Sequence, residues 1–332
     1  MIKRTLYFGN PAYLSLSLGQ LVVSMPKIEI TKTIPIEDIG VVVLDSGQIT
    51  ITHSLLNHLL ENNVALITCN NSHHPIGLQL CLDGNTIQSE RFQTQISATE
   101  ALKKNLWQQT IQYKIHNQAM LLQERGISNK NMLQWAKDTL SGDGHNHEAR
   151  AAAYYWQNIF PDNDLFRRER FGEYPNNFFN YAYALLRAIT ARSLVSSGLL
   201  PTLGIHHCNR YNAYCLADDI MEPYRPFVDK MVIEIVDDII KQNPIAIDEI
   251  NNRQADYTIA AAPEINRYEE QSKISAFDLT KDIKAKLLNI PVLDVMINNQ
   301  RSPLMVAVSQ TTASLSKCYM GETRKIAYPE FI

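Results

Sequence analysis

The stretch Asp83-Gly84-Asn85-Thr86-Ile87-Gln88-Ser89-Glu90 separates two kinds of sequence. Its Asp-Gly-Asn start is a turn signal. Before it, from Leu6 to Cys81, apolar and polar residues repeatedly alternate, the period-two pattern of strands with one buried face. After it, residues 90–125 are rich in Gln, Lys, Glu and Ala, with apolar positions every three or four residues. We therefore predict an α+β protein with a small N-terminal β-domain, residues 1–88, and a larger all-α domain, residues 89–332.

The first part contains several strand-like runs. Leu14, Leu16 and Leu18 alternate with tyrosine and serine, as a half-buried strand requires. A short helix at about residues 54–61 has a serine at its capping position and leucines at helical spacing. Further runs rich in β-branched residues are predicted as strands at residues 28–30, 39–44, 48–51 and 64–68.

Helical patterns dominate the second part. Residues 243–275 are the least regular there, because they contain two prolines and an Asn-Asn pair, and we predict a loop. Helices are predicted at residues 132–140, 148–160, 176–196, 213–221, 226–241, 276–288 and 302–319.

Composition narrows the class of protein. The chain has 332 residues, is 45% hydrophobic and carries a net charge of −3, so any DNA contact must come from a local basic patch. Its five cysteines never form a C-x-x-C pair, which argues against a disulfide framework and against a cysteine zinc site. No apolar run approaches the roughly 20 residues that cross a bilayer, and we predict a cytoplasmic protein without membrane contact.

Glu148 is the first candidate for chemistry. A glycine-containing loop, residues 142–147, runs into an alanine-rich stretch, which places Glu148 in the first turn of a helix. An acid at that position can simply complement the helix dipole. The neighbouring His145 and His147 are two residues apart and lack the i, i+4 spacing of helical zinc sites, so we interpret them as solvated loop histidines.

Two further candidate segments lie close together in sequence. The first contains His206 and His207, and the second contains Asp219 and Glu222. Glu222 follows His207 by 15 residues (222 − 207), enough for a loop and a returning helix. Asp219 and Glu222 share one helix face, which is either an ordinary acidic stripe or a metal-facing one. If an imidazole and two carboxylates meet, the set suits Mg²⁺ or Mn²⁺, ions that serve phosphodiester chemistry.

Read together, these segments resemble the CRISPR-associated protein one family over essentially the whole chain. Glu148 followed by Ala151-Ala152 and Tyr155 looks like the family's first metal-ligand helix, and Gly204-x-x-His207 looks like its second segment. The family's third metal-ligand segment is resembled by Asp219-Ile220-Met221-Glu222-x-x-Arg225-Pro226. Ala149, Ala153 and Trp156 depart from residues common in the family, but none of these departures removes a ligand.

Three other motifs support the resemblance. Residues 177–186, Asn-Phe-Phe-Asn-Tyr-Ala-Tyr-Ala-Leu-Leu, resemble the family's aromatic helix, and residues 34–39, Ile-Pro-Ile-Glu-Asp-Ile, match a turn of its N-terminal β-domain. The run Leu-Pro-Thr-Leu-Gly-Ile-His-His from Leu200 looks specifically like the branch found in type II systems.

The resemblance implies a DNA integrase and endonuclease that inserts short foreign DNA fragments into a CRISPR array by 3′-hydroxyl attack on a phosphodiester. It also implies that the larger domain is catalytic and that Glu148, His207 and Glu222 hold Mg²⁺ or Mn²⁺, with Asp219 and His206 as possible additional ligands. A non-catalytic DNA-binding scaffold and a general metal-dependent DNA endonuclease are the alternatives.

Several partners are also implied. They are double-stranded DNA with 3′ ends, CRISPR repeat DNA, a second copy of the chain and the small CRISPR-associated protein two. In a type II system the DNA-end-binding ring protein and the effector nuclease would be additional partners. The arginines predicted to contact DNA phosphates are Arg167, Arg168, Arg170, Arg187, Arg192 and Arg225.

Overall fold

The computed structural model describes residues 3–25, 30–160, 166–169, 172, 174–243 and 277–331. Its N-terminal part consists of strands and one helix, so the strand-like alternation of the sequence predicted it correctly. The elements are β1 Arg4–Phe8, β2 Ala12–Ser17, β3 Gln20–Met25, β4 Ile30–Pro35, β5 Ile39–Leu44, β6 Ile49–Ile51, α1 His53–Glu61, β7 Ala65–Cys69 and β8 Pro75–Gln79.

These strands form two four-stranded sheets. In the first, β1, β5 and β7 are parallel and β8 pairs antiparallel with β7. In the second, β2, β3 and β4 form an antiparallel meander, and β6 adds to β2 in parallel. Leu18, predicted to continue the β2 alternation, lies instead in the β2–β3 turn with φ 48° and 98% exposure. Because the chain reverses there, its side chain has no sheet face to cover.

The first sheet is buried on both faces. Val42 of β5 and Leu66 of β7 pack with α1 and the second sheet, around Leu14 and Leu55. Neighbouring residues of the same strands point the other way, and Val41 and other apolar side chains of β5 and β7 join the core of the helical part. A strand covered on both faces is apolar throughout, which explains the uninterrupted run of β5.

The second part is mainly helical, as predicted, and the helix at Asn176–Ser196 has the predicted bounds. The predicted boundary at residues 88 and 89 falls at the start of its first helix. The helices are α2 Gln88–Ile96, α3 Glu100–Glu124, α4 Lys130–Asp138, α5 His147–Asn158, α6 Asn176–Ser196, α7 Cys215–Met221, α8 Arg225–Gln242, α9 Lys281–Leu287 and α10 Leu304–Tyr319.

The second part is not all-α. A hairpin of β9 Asp294–Ile297 and β10 Gln300–Pro303 precedes α10, which begins two residues later than predicted. Asn298 and Asn299 form its turn with φ 51° and 61°, the left-handed conformation that two-residue hairpins need and asparagine tolerates. The loop predicted at residues 243–275 lies outside the described residues after Asn243.

Helix α3 is central to the second part and packs against α4, α5 and α8. Thr99 caps its start by accepting a hydrogen bond from the backbone N–H of Leu102. Most of its buried residues are apolar, but Lys114 and Asn117 are buried as well. A buried lysine on a core helix needs a charged partner, and its partners lie in the site described next.

Candidate metal and DNA site

Glu148 lies in the first turn of α5, as the sequence predicts. The Asp143 carboxylate accepts hydrogen bonds from the backbone N–H groups of His147 and Glu148, each at 2.9 Å, and so caps the helix. His147 is not a solvated loop residue as predicted: it is the first residue of α5 and only 7% exposed. Its ring is covered because the loop folds back over the helix start, whereas His145 is exposed.

The turn that carries His206 and His207 is organised by Asp219. The fully buried carboxylate of Asp219 accepts hydrogen bonds from the backbone N–H groups of Ile205 at 2.8 Å and His206 at 3.0 Å. It also bonds to Nδ1 of His207. A side chain on Gly204 would collide with the His207 carbonyl and with Asp219. The tight turn therefore requires glycine at position 204, and it leaves Nε2 of His207 as the nitrogen available for a ligand.

The two adjacent histidines have different surroundings. The ring of His206 stacks on Trp107, with centroids 4.1 Å apart and planes 2° from parallel. The ring of His207 lies edge-on to the same tryptophan. Its hydrogen bond to the Asp219 carboxylate is the main cause of its raised pKa, and the charges of Glu222 and Glu148 add to that effect. His207 is thus the histidine that shares an electrostatic environment with both glutamates.

Glu222 lies at the junction of α7 and α8. A 3-10 turn, Glu222–Tyr224, links the two helices and is buried. Asn117 of α3 holds this junction, because its side-chain N–H donates to the carbonyl of Pro223 at 2.8 Å. Helix packing therefore brings Glu222 to the same place as Glu148, although 74 residues separate them in sequence (222 − 148).

Lys114 joins the two glutamates. Its Nζ lies 2.7 Å from Oε1 of Glu148 and 2.8 Å from Oε2 of Glu222, and the residue is 7% exposed. Lys114 was not predicted, because one lysine in a Gln- and Lys-rich helix has no distinguishing neighbours. The available signal was its place among core positions of α3, which becomes readable only once the buried face of that helix is known.

Charge pairing outweighs burial at this site. Burial would raise the pKa of Glu222, but Arg225 and Lys114 hold it below its ordinary value. Burial would likewise lower the pKa of Lys114, but Glu222 and Glu148 raise it. Arg225 Nη2 lies 3.0 Å from Oε1 of Glu222. Glu222 and Lys114 are accordingly charged at neutral pH, each against the effect of its burial.

The donor types suit a hard divalent ion, since they comprise two carboxylates and one imidazole. Oε2 of Glu222 is buried and already faces a cation, since it lies 2.8 Å from the Lys114 ammonium. In the geometry described, however, no three His, Cys, Asp or Glu side chains of the described residues are gathered closely enough to hold a metal ion. The ammonium of Lys114 lies between the carboxylates instead.

Three of the predicted arginines line one cavity. It has a volume of about 670 Å³ and lies between the β7–β8 turn and α6, with Arg168, Arg187 and Arg225 among its walls. The guanidinium groups of Arg168 and Arg225 both lie over the ring of Tyr183, at 5.2 and 4.8 Å. Arg187 makes a two-point ion pair with Asp218 at 2.6 and 2.9 Å. The cavity is thus a polar, cationic space beside Glu222.

Of the other predicted arginines, the two that the structure describes donate to backbone carbonyls. Arg192 is 7% exposed, and its Nε donates to the carbonyl of Asn63 at 2.5 Å, a position that ties α6 to the β-domain rather than one that offers a phosphate a surface. Arg167 donates to the carbonyl of Phe166 at 2.9 Å. Arg170 lies outside the described residues.

None of the described helices is both long and apolar enough to cross a membrane.

Comparison with known proteins identifies the family. A family model described as "CRISPR associated protein Cas1" matches residues 6–249. The chain is 37% identical over 241 residues to a CRISPR-associated endonuclease Cas1 of Neisseria meningitidis serogroup C, covering 71% of this chain and 76% of the relative. It is also 29% identical over 199 residues to a Cas1 endonuclease of Saccharolobus solfataricus, covering 55% and 60% of the two chains.

Solved structures share the fold. A casposase bound to integration product has a TM-score of 0.71 at 16% identity, covering 100% of this chain and 95% of that chain. A Cas1 protein from Thermotoga maritima has a TM-score of 0.69 at 15% identity, covering 96% and 98%. Because the family model matches most of the sequence and the Neisseria relative is similar over most of both chains, this chain belongs to the CRISPR-associated protein Cas1 family.

Proposed function

We propose that this protein is a metal-dependent DNA integrase that inserts short foreign DNA fragments into a CRISPR array. The observation that carries the proposal is the convergence of Glu148 and Glu222 on one cation, Lys114, with His207 beside them. These side chains come from separate helices and a turn that no local requirement brings together. A buried cluster of opposite charges beside an arginine-lined cavity is a functional-site candidate on physical grounds.

Glu148, Glu222 and Nε2 of His207 would hold the ion, Mg²⁺ or Mn²⁺. When bound, such an ion polarises a phosphodiester and favours in-line attack by a 3′-hydroxyl. The Cas1 relatives named endonucleases favour a phosphodiester substrate. Strand transfer exchanges one phosphodiester for another, so it needs no ATP and no covalent enzyme intermediate, and the protein acts chiefly by positioning DNA.

Other residues have supporting roles in this proposal. Asp219 fixes the orientation and the tautomer of His207 through Nδ1, the usual task of a carboxylate behind a ligand histidine. Arg225 holds Oε1 of Glu222. Arg168 and Arg187 line the adjoining cavity, where they would bind the phosphates of a DNA strand leading to the site.

Solved structures of similar fold support DNA and Cas2 as partners. A casposase of similar fold was solved bound to integration product. A chain of a Cas6-RT-Cas1–Cas2 complex matches this chain with a TM-score of 0.63, over 98% of this chain and 36% of that chain. We infer that this chain binds DNA with 3′ ends and repeat DNA, and that it assembles as a homodimer with Cas2. The type II ring protein and effector nuclease complete the expected set.

A strand-transfer assay tests the proposal. A labelled duplex with free 3′-hydroxyls is incubated with a plasmid containing one repeat, in Mn²⁺ and with or without EDTA. We expect label to join the plasmid only with Mn²⁺, and 3′-dideoxy ends, which lack the attacking hydroxyl, to abolish joining. Glu148→Ala, His207→Ala and Glu222→Ala should each reduce joining by at least about a hundredfold while the circular dichroism spectrum is unchanged.

The alternatives give different products. A general DNA endonuclease, which the relatives' names also favour, would cut the DNA in Mn²⁺ without forming a new junction. A non-catalytic scaffold would bind both DNAs and form neither product. Joining that persists in EDTA, or in all three alanine variants, would contradict the metal site proposed here.

A further inference from the structure

Lys114 is the one buried lysine of α3, within the described residues, and its ammonium lies between two carboxylates of the site. Its Nζ donates a hydrogen bond to Oε1 of Glu148 at 2.7 Å. It is equally near Oε2 of Glu222, at 2.8 Å. The lysine thus holds both carboxylates through short charged contacts.

A cation is needed at this point whenever no metal is bound. Glu148 and Glu222 would otherwise place two negative charges side by side where water is largely excluded, an arrangement that separates the carboxylates or protonates one of them. Arg225 neutralises part of the negative charge of Glu222 through its contact with Oε1. The remaining charge faces Lys114, so the lysine keeps both carboxylates directed at one point.

The same point is where a divalent ion would bind. A metal ion shared by Glu148 and Glu222 must lie between their oxygens, and an ammonium within hydrogen-bond distance of both would repel it strongly. Lysine has a flexible four-carbon stem, so its ammonium can withdraw by a rotamer change while α3 stays in place.

We propose that Lys114 is a positioning residue that occupies the metal position in the metal-free protein and exchanges with the divalent ion. The inference rests on the proposed metal site and adds its regulation. The lysine preserves the geometry of Glu148 and Glu222 while no ion is bound. It also raises the ion concentration that is needed for binding, because the ion must displace a tethered cation. An uncharged side chain of similar length at position 114 should therefore lower the unfolding temperature of the metal-free protein and tighten its binding of the ion.

The test measures Mn²⁺ binding by isothermal titration calorimetry on full-length, EDTA-treated protein, together with thermal unfolding with and without Mn²⁺. Lys114→Met removes the charge, and Lys114→Arg retains it. Lys103→Met is the matched control, since Lys103 is on the same helix and pairs with Glu100 at the surface. If Lys114→Met cannot be purified without metal, Lys114→Gln replaces it.

We expect Lys114→Met to bind Mn²⁺ at least about tenfold more tightly than the wild type and to unfold at a lower temperature in EDTA. Mn²⁺ should restore its unfolding temperature. Lys114→Arg should bind no more tightly than the wild type, and Lys103→Met should bind as the wild type does. Tight binding by Lys114→Met when the wild type binds weakly or not at all would support the exchange equally.

Two results would overturn the inference, and they are distinguishable. If the wild type binds Mn²⁺ and Lys114→Met binds no more tightly, the lysine does not compete with the ion, while the proposed metal site stands. If neither protein binds Mn²⁺, the metal site itself fails and the exchange fails with it.

Discussion

Asp219 and Glu222 lie three residues apart, yet their carboxylates do different work. Asp219 is saturated by the backbone N–H groups of Ile205, His206 and His207 and by Nδ1 of His207. Glu222 instead faces the side-chain cations of Lys114 and Arg225. A carboxylate already occupied by four donors is poorly suited to bind an ion. This contrast supports Glu222 as the ligand and Asp219 as the residue that orients the histidine.

The contrast leads to a prediction for two conservative variants. Glu222→Gln should weaken Mn²⁺ binding by about tenfold or more, because it removes the charge of a ligand, and it should also destabilise the protein, because Arg225 loses its buried partner. Asp219→Asn should lower the free energy of unfolding by about 1–3 kcal/mol, because it leaves buried N–H groups with a weaker or mismatched acceptor. Calorimetric Mn²⁺ titration and urea denaturation of both variants separate the two roles. Equal effects of the two variants on both measurements would contradict the assignment.

At the scale of elements, one buried carboxylate joins three helices. Asp229 of α8 accepts hydrogen bonds from the hydroxyls of Tyr155 of α5 and Tyr183 of α6. Burial raises the pKa of Asp229 from 3.8 to about 7, against the effect of these hydrogen bonds and of Arg225. Tyr183 also supports Arg168 and Arg225, so the joint lies directly beneath the arginine-lined cavity.

The joint predicts a pH dependence of stability. Between pH 3.8 and about 7 the folded protein retains the Asp229 proton while the unfolded chain has lost it. The stabilisation is therefore complete near pH 4 and declines as the pH rises to about 7. Relative to the wild type, Asp229→Asn should become progressively more stable from pH 4 to about pH 7 and keep a constant difference above that pH, as measured by thermal unfolding. A pH-independent difference between the two proteins would show that Asp229 does not titrate in this range.

Most elements could be predicted from sequence periodicity, and the exceptions have physical reasons. The helix at Asn176–Ser196 was predicted with its bounds, because its apolar spacing is long and uninterrupted. The hairpin β9–β10 was missed, because its four-residue strands are too short to show alternation and its turn is Asn-Asn rather than Asn-Gly. The stretch at residues 90–125 proved to be two helices, because Thr99 starts a new one by capping it.

In the molecule as a whole, a buried ion pair ties the β-domain to the helical part. Lys284 of α9 contacts Asp45 at 2.8 Å, and both residues are less than 5% exposed. Asp45 also accepts hydrogen bonds from Tyr7 and His73. Burial opposes its charge, but Lys284 and these two hydrogen bonds keep the pKa of Asp45 below its ordinary value. The relative placement of the two parts therefore depends on charges that neither part could bury alone.

Breaking this pair should be costly. Lys284→Met leaves Asp45 buried without its cation and should lower the free energy of unfolding by about 3–5 kcal/mol. The double variant Asp45→Asn with Lys284→Met should recover much of that loss, because no unpaired charge remains. Guanidinium denaturation of the wild type, of the two single variants Asp45→Asn and Lys284→Met, and of the double variant gives the coupling energy. Strictly additive effects would mean that the two residues do not stabilise each other.

The site was predictable only in part. Glu148, His207 and Glu222 were identified through family resemblance, whereas residue chemistry alone indicated no more than a possible hard-metal site. The choice between adjacent residues, His206 or His207 and Asp219 or Glu222, depends on hydrogen bonds that sequence spacing does not fix. Lys114 could not be predicted at all, because its importance comes entirely from helix packing. Which of these residues bind an ion remains a prediction.

The most direct test of the central claim is the anomalous scattering of Mn²⁺ in crystals of the wild-type protein bound to a DNA end. We predict a manganese peak roughly 2 to 2.5 Å from carboxylate oxygens of Glu148 and Glu222 and from Nε2 of His207. The Lys114 ammonium should have moved away from Glu222. A fully occupied manganese peak elsewhere, with Glu148 and Glu222 still bridged by Lys114, would contradict the account.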